Sequence, residues 1–415
     1  MDCLWLTLAY VDPPTNGQLI YSKGLMDSVA RAGVRLTSWA MRPSRNPPAD
    51  LRDVPMQPGT RLQRVLSADP VVGGHGRSIA AARAIGQTLA ARRFDAVVFD
   101  SISAGWALSL VEHHRRTASS PPRLVYLAHN HEITVARRIV QTASGPMRLV
   151  RALEALKVIR LERRLIAAAD LLTSNTPEDC QAFAAEPMAP PVAFLPPGYD
   201  GPRVHARRID ADTPRRVVIV GSFDWQPKRT SLESFLQAGA LMLARAGIGL
   251  QVVGAAEESY LAGMRQRFPT VEFTGPVDDV RPYMAQARLA LVPDQLGGFK
   301  LKGLDYVFAR LPILAMRIAL PGMPLQDGLS FGLFDSHVAM AEGIVAVIDD
   351  FATLNARHER AYAACDREFD WDRIGRSLVQ HMREAEPRRS LRGPVPIVEG
   401  VRKEPSLSSR AERGI

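Results

Sequence analysis

The sequence predicts an α/β protein built from two doubly wound, parallel-sheet domains that face each other across a cleft. Short apolar runs alternate with segments of helical period from end to end, the pattern of strands covered on both faces by crossover helices. The series breaks once, in the proline- and glycine-rich residues 196–202 and the polar stretch to Arg215, and then begins again. At 415 residues the chain also exceeds what one core usually holds. The expected division is a first domain over 1–198, a linker over 199–215, a second domain over 216–386 and a disordered basic tail over 387–415.

Taken in order, residues 2–10 read as a strand and 11–22 as a Pro/Gly loop. A helix follows near 20–32, ended by Gly33, and 34–40 is the next strand. The loop lacks the GxGxxG fingerprint of a dehydrogenase at the one place it should occur. The glycine-rich residues 73–76 follow no strand and read as a loop or helix start. Further strands are expected at 94–100, 123–128, 170–175 and 192–195. Ligands of such sheets bind at the carboxyl ends of the strands, where Gly17, Asp100, His129, Asn130, His131, Glu132, Asn175 and Thr176 fall.

The second series has strands at 216–221, 250–254, 271–275, 289–293 and 313–316, and a last helix over 371–386. Its centre is 288–316, read as a buried strand, a glycine turn, a helix and a second strand, with Pro312 closing the helix. Gly297, Gly298, Lys300, Lys302 and Asp305 sit where turn becomes helix. Unpaired N–H groups, the positive end of the helix dipole and two ammonium groups converge there, an arrangement suited to phosphate.

Composition narrows the classes. The three cysteines, Cys3, Cys180 and Cys365, form no CxxC, which argues against a disulfide framework or a zinc site and fits a reducing cytoplasm. No signal peptide or transmembrane helix is read. The net charge is +9, but 387–415 holds seven basic against three acidic residues, so the folded part is only mildly basic. No basic stripe interleaved with aromatics supports nucleic-acid binding.

These motifs resemble those of the GT-B glycosyltransferases of the retaining, family-4 type (glycosyl transferases group 1). The resemblance spans roughly 1–385. It rests on VGSFDWQPK at 220–228, FTGPVDDVRPYM at 273–284, GGFKLKGLD at 297–305, Gly17, AHNHE at 128–132 and the SNT that ends a strand at 174–176. Two Rossmann-like domains are implied, with a nucleotide-sugar donor held mainly by the second and an acceptor mainly by the first. Many members carry two glutamates eight positions apart; here the second position is Asp305 and the first falls on Gly297. Ser222 stands where an arginine is common, and Lys228 comes one position later than the usual lysine.

The resemblance implies donor contacts at Gly221, Ser222, Lys228, Val277, Gly297, Gly298, Lys300, Lys302 and Asp305, with Asp305 on the ribose. It implies that a histidine, His129 by preference, hydrogen-bonds the transferred sugar and that Glu132 orients an acceptor hydroxyl. Asn130, His131, Asn175, Thr176 and Gly17 belong to the acceptor side. The residues themselves fit this chemistry. A leaving diphosphate gains negative charge as the glycosidic bond breaks, and lysines with backbone N–H donors are the direct means of stabilising it. A solvated lysine on an exposed helix face, and an Asp–Lys surface pair at 302 and 305, are the bland alternatives.

No metal is expected. The His–x–His–Glu cluster lacks a third spaced ligand, and the Asp-x-Asp pairs at 210–212 and 370–372 read as loop or cap residues. The segment 137–164 holds eight basic and two acidic residues, with Leu149, Leu153 and Leu156 on one stripe. A basic amphipathic helix of that kind can lie on the inner face of an anionic membrane, as a peripheral contact near a lipid-linked acceptor; the alternative is a crossover helix with a solvated basic face. The expected activity is metal-independent glycosyl transfer from a nucleotide diphosphate sugar to a saccharide or lipid-linked acceptor. A nucleotide-sugar epimerase of the same architecture and a noncatalytic glycan-binding relative are the competing readings.

Overall fold

Burial of the short apolar runs builds two parallel sheets in the computed structural model, which describes residues 1–54, 67–74, 77–295 and 298–388. The first contains β1 (Asp2–Thr7), β2 (Arg35–Ala40), β3 (Leu51–Asp53), β4 (Ala96–Asp100), β5 (Arg123–Ala128), β6 (Leu171–Ser174) and β7 (Val192–Phe194). Their order is β3-β2-β1-β4-β5-β6-β7. The second contains β8 (Arg216–Val220), β9 (Gly249–Val253), β10 (Val271–Phe273), β11 (Leu289–Val292), β12 (Ile313–Met316) and β13 (Gly332–Phe334), in the order β10-β9-β8-β11-β12-β13. All pairings are parallel. β4, β11 and β12 are buried along their whole length, as a sheet covered on both faces requires.

Strand order reverses between β1 and β4 in the first sheet and between β8 and β11 in the second. Crevices open at such switch points because the connections on either side depart to opposite faces. The anticipated strands are present within a few residues. β3 and β13 are additions, each three residues long.

Residues 199–215 are a strap on the second domain. The N–H of Val204 donates to the Phe308 carbonyl at 2.8 Å, Arg203 lies 3.8 Å over the Phe308 ring, and Ile209 is buried in the second core. Arg207 donates to the carbonyls of Ala285 at 3.0 Å and Ala287 at 2.6 Å.

The last helix corrects the expected division at 386. It runs Trp371–Glu384 and packs on the first domain, where Trp371, Ile374, Leu378, Val379 and Met382 share a core with Cys3, Trp5 and Leu25. Its apolar face needed a partner, and periodicity cannot say which sheet supplies one. Trp371 lies so close to Gly24 and Gly198 that a Cβ at either would come within 2.2 and 2.4 Å of the indole. The segment beyond is fastened as well: Arg123 donates to the Ala385 carbonyl at 2.6 Å, and Asp170 accepts from the Arg388 N–H at 2.6 Å. Pro387 and Arg388 are thus docked, and the rest of the expected tail lies outside the described residues. The chain crosses between domains twice, side by side, with the Tyr199 N–H donating to the Phe369 carbonyl at 2.9 Å.

Because Trp371 is a buried anchor between the returning helix and the first sheet, Trp371→Ala is expected to cost about 3–5 kcal/mol. Urea denaturation should show that loss, with hydrogen exchange rising first in the helix Gly17–Arg31 rather than in the second domain.

Candidate active site

At the first switch point the strand ends converge on Asp100, the last residue of β4 and 1% exposed. Its carboxylate accepts from Trp5 Nε1 at 3.1 Å and Thr7 Oγ1 at 2.9 Å on β1. Ser22 Oγ donates at 3.1 Å, and His129 Nε2 lies 2.7 Å away at the end of β5. Burial opposes ionisation of Asp100, but the bonds from His129, Trp5 and Thr7 outweigh it and hold the carboxyl below its usual value. An ionised Asp100 only accepts, so His129 Nε2 carries the proton and Nδ1 is the nitrogen left for other partners. Tyr21 packs edge-on against the imidazole at 5.3 Å and donates to the Leu195 carbonyl at 2.7 Å. Directly after Asp100 the chain turns through Ser101 at φ 72, a left-handed conformation uncommon for serine.

His131 does not share this site. It is buried against Phe183 at 4.6 Å, with Nδ1 2.7 Å from Thr134 Oγ1, and burial lowers its pKa. Expected on the acceptor side, it is seen packed on Phe183. Glu132 begins the helix Glu132–Gln141. Burial raises its pKa, and its Oε1 accepts from Asn130 Nδ2 at 3.2 Å.

Glu162, which the sequence reading passed over, supports that helix start. Fully buried, it accepts the N–H of Glu132 at 3.1 Å and of Ile133 at 2.6 Å, and the Tyr126 hydroxyl at 3.0 Å. Burial and the Glu132 charge push its carboxyl up to about 8. The available signal was an apolar-flanked acid in a segment otherwise dominated by arginine.

In the second domain a crevice opens between the ends of β8 and β11, lined by Gly221, Phe223, Lys228, Ser231, Asp294 and Lys302. Lys302 Nζ pairs with Asp294 Oδ2 at 2.6 Å. Lys300 starts the helix Leu301–Phe308 and bonds the Gly298 carbonyl at 3.3 Å. Burial lowers the pKa of Lys300 to about 8, and lowers that of Lys228, with the Lys302 charge adding to both. Burial works against ionisation of Asp294, yet the three ammonium groups hold it below its usual value. Asp294 is a second residue of the site that spacing did not reveal. Gly254, at φ +131, lies against Gly221, where a Cβ would sit 1.9 Å from the Gly221 carbonyl oxygen.

The two walls meet. A Cβ on Gly298 would lie 3.5 Å from Asn130 Oδ1, and one on Gly17 3.6 Å from Leu301 Cδ1. Arg138 Nη2 reaches across to the Gln295 carbonyl at 2.9 Å. The helix Gly17–Arg31, capped by Asn16, and the helix Leu301–Phe308 thus point their N-terminal ends toward the same gap.

Other expected positions lie apart from the crevice. Ser222 Oγ donates to Asp224 at 2.7 Å on the exposed surface. The Thr176 hydroxyl, expected on the acceptor side, accepts the Asp179 N–H at 3.1 Å, which caps the helix Pro177–Ala184. Asn175 Oδ1 is buried without a hydrogen-bond partner, beside Gly322 of the second domain. Val277 packs on the second core, and Asp305 is half-buried beside the Tyr199 phenol, its carboxyl pushed up by burial. Gly297 lies outside the described residues. Asp210 and Asp370 bind nearby backbone N–H groups, the latter capping Trp371–Glu384.

Residues 214–350 match the family model described as "Glycosyl transferases group 1". Among solved structures, sucrose-phosphate synthase from Thermosynechococcus elongatus is 19% identical with a TM-score of 0.68, covering 92% of this chain and 99% of that one. WaaG, a glycosyltransferase involved in lipopolysaccharide biosynthesis, is 18% identical at TM-score 0.64, with 92% and 99% covered. HepE from Anabaena, solved with UDP and glucose, is 15% identical at TM-score 0.60, with 92% and 100% covered. No match was found among curated proteins. The fold is therefore GT-B, and its second domain carries the group 1 match.

Lys300 sets a pH signature for the crevice. Above pH 8 its empty-site form is largely neutral, and a bound phosphate restores the ammonium by raising its pKa again. Binding of ADP at pH 9, where its diphosphate is already fully ionised, is expected to take up about one proton, read by calorimetry in buffers of different ionisation enthalpy; Lys300→Met should lower the uptake.

Proposed function

We propose that this chain, a GT-B glycosyltransferase with a group 1 domain in its second half, moves a sugar from a nucleotide diphosphate sugar to a saccharide or lipid-linked acceptor. The observation that carries this is the convergence of Lys228, Lys300 and Lys302 on the second switch point, opposite the His129–Asp100 pair and Glu132. In this reading the donor diphosphate lies against the lysines and the start of Leu301–Phe308, with Asp305 toward the ribose. His129 hydrogen-bonds the transferred sugar through Nδ1, held in orientation by Asp100. Glu132 orients the acceptor hydroxyl, and its burial-raised pKa suits it to take that proton.

As the anomeric C–O bond breaks, the charge left on the diphosphate falls on preorganised ammonium groups, so no metal is needed for that task. Retention of configuration belongs to the same reading, on the strength of the motif resemblance. That HepE was solved with UDP-glucose is in keeping with a nucleotide-sugar donor.

The acceptor side extends to a surface of distinct chemistry. On the helix Met147–Ala168, Leu149, Leu153 and Leu156 are 68%, 55% and 63% exposed, at a spacing that puts them on one face. Met147 and Val150 are more than half exposed beside them, and Arg148 and Arg151 are exposed in the same turns. Apolar side chains ringed by arginine suit an anionic membrane surface, where a lipid-linked acceptor would be met. Among the described residues no helix is long and apolar enough to cross a membrane, so the contact would be peripheral.

Incubation with a panel of labelled nucleotide sugars tests the activity: transfer or slow donor hydrolysis is expected, and Lys302→Met should lower turnover about 10²–10³-fold. A donor isomer as product would instead favour an epimerase, and binding without turnover a noncatalytic relative. Separately, replacing Leu149, Leu153 and Leu156 together by serine should abolish flotation with phosphatidylglycerol vesicles while donor hydrolysis is unchanged. Undiminished flotation would remove the membrane role.

A further inference from the structure

A crevice for a diphosphate has no evident need of a carboxylate, yet Asp294 stands in its wall, 6% exposed. Its Oδ2 is 2.6 Å from Lys302 Nζ, and the two side chains are 8% and 17% exposed. The backbone on both sides is fixed. The Pro293 carbonyl lies 2.9 Å from His337 Nε2 on the helix His337–Val347, and the Gln295 N–H donates to Ser231 Oγ at 3.1 Å on the helix Gln226–Arg245. These bonds hold the Asp294 backbone in the crevice wall when an anion enters. It must share the crevice.

We propose that Asp294 is a built-in anionic competitor of the nucleoside diphosphate, keeping the lysine cluster assembled in the empty site and speeding release of the diphosphate product. The proposal rests on the donor reading above. Three ammonium groups crowded into one crevice repel one another, and removing a partner from a buried charge is costly. Asp294 supplies the missing anion, and its charge favours the protonated forms of Lys300 and Lys228.

The same charge acts on the ligand. A nucleotide sugar carries one negative charge on each phosphate, and the leaving diphosphate gains another when the sugar departs. Three lysines alone would bind that product more tightly than the substrate and retain it. With Asp294 fixed beside them, part of the attraction is cancelled in every bound state, and the effect is greatest for the more highly charged product. Binding that is uniform across substrate and product does not raise turnover, so a residue that weakens product binding helps catalysis without touching the reacting atoms. Asp294 is a positioning residue for Lys302 and a tuner of release.

The experiment uses the full chain, with calorimetric binding of pyrophosphate and of UDP, GDP and ADP to wild type, Asp294→Asn and Asp294→Glu. Asp294→Asn removes the charge with little change of shape and should bind diphosphates about tenfold more tightly. Its donor KM and turnover should fall together, with deeper product inhibition. Asp294→Glu carries the charge one methylene further into the crevice and should bind more weakly than wild type. A purely structural Asp294 predicts weaker binding in both variants, and that result would overturn the proposal. If Asp294→Asn fails to fold, Asp294→Glu is read by charge selectivity: UDP should weaken more than the less charged UMP, and equal weakening of both, or none, overturns the proposal. A wild-type chain that binds no pyrophosphate and no nucleoside diphosphate sinks the donor reading itself, a distinct outcome.

Discussion

A carboxylate buried at the carboxyl end of a parallel strand must be met by donors, and each half of the molecule is arranged around one. Asp100 ends β4 and Asp294 follows β11, so both stand at the switch point of their sheet, in equivalent places. What surrounds them differs. Asp100 is satisfied by an indole, two hydroxyls and an imidazole, so the first wall offers an oriented hydrogen-bonding surface without lysines. Asp294 is satisfied by ammonium groups, so the second wall stays cationic. Buried ion pairs contribute little net stability once desolvation is counted. Their placement in the cleft shapes its field more than it holds the fold together.

That division matters only because the walls are held within reach of each other. The helix Trp371–Glu384 leaves the second domain and docks on the first, so the two sheets are tied by two neighbouring crossings. Gly17 then faces Leu301, and Asn130 faces Gly298, positions at which an added Cβ would already be in van der Waals contact with the opposite wall. Docking of the last helix on the first sheet thus bears on the cleft, although none of its residues lines it.

The strands and the phosphate turn were legible because they depend on local pattern: β11, the helix Leu301–Phe308 and β12 each leave a clear period and a proline stop. Lys300 and Lys302 were legible for the same reason, as charges at a helix start. Asp294 was not, because a single aspartate after a strand gains meaning only when Lys228, more than sixty positions earlier, folds beside it. Glu162 was hidden similarly, since the N–H groups it accepts belong to another helix. Thr176 and His131 show the opposite case. Each lies at a strand end, where function concentrates, but the Thr176 hydroxyl caps a helix and His131 packs on Phe183. Membership of the last helix was illegible because amphipathicity demands a partner without naming it.

Helix starts sharpen the contrast between structure and site. The helices Ile79–Ala91, Pro177–Ala184, His337–Val347 and Phe351–Cys365 begin with side-chain caps from Ser78, Thr176, Ser336 and Asp350. A cap meets one of the N–H groups that a helix start leaves over. The helices Gln226–Arg245 and Leu301–Phe308, which flank the second crevice, begin without one, as do others away from it such as Met147–Ala168 and Glu258–Arg267. An uncapped start is a local cost of about 1 kcal/mol. Here it occurs twice at the same crevice, each time with a lysine in or beside the first turn, Lys228 in one and Lys300 with Lys302 in the other. A side-chain cap would place an oxygen where a phosphate oxygen could bind. Open starts beside these ammonium groups put free N–H donors and positive charge together at one crevice, and Asp294 limits how strongly that site holds what it binds.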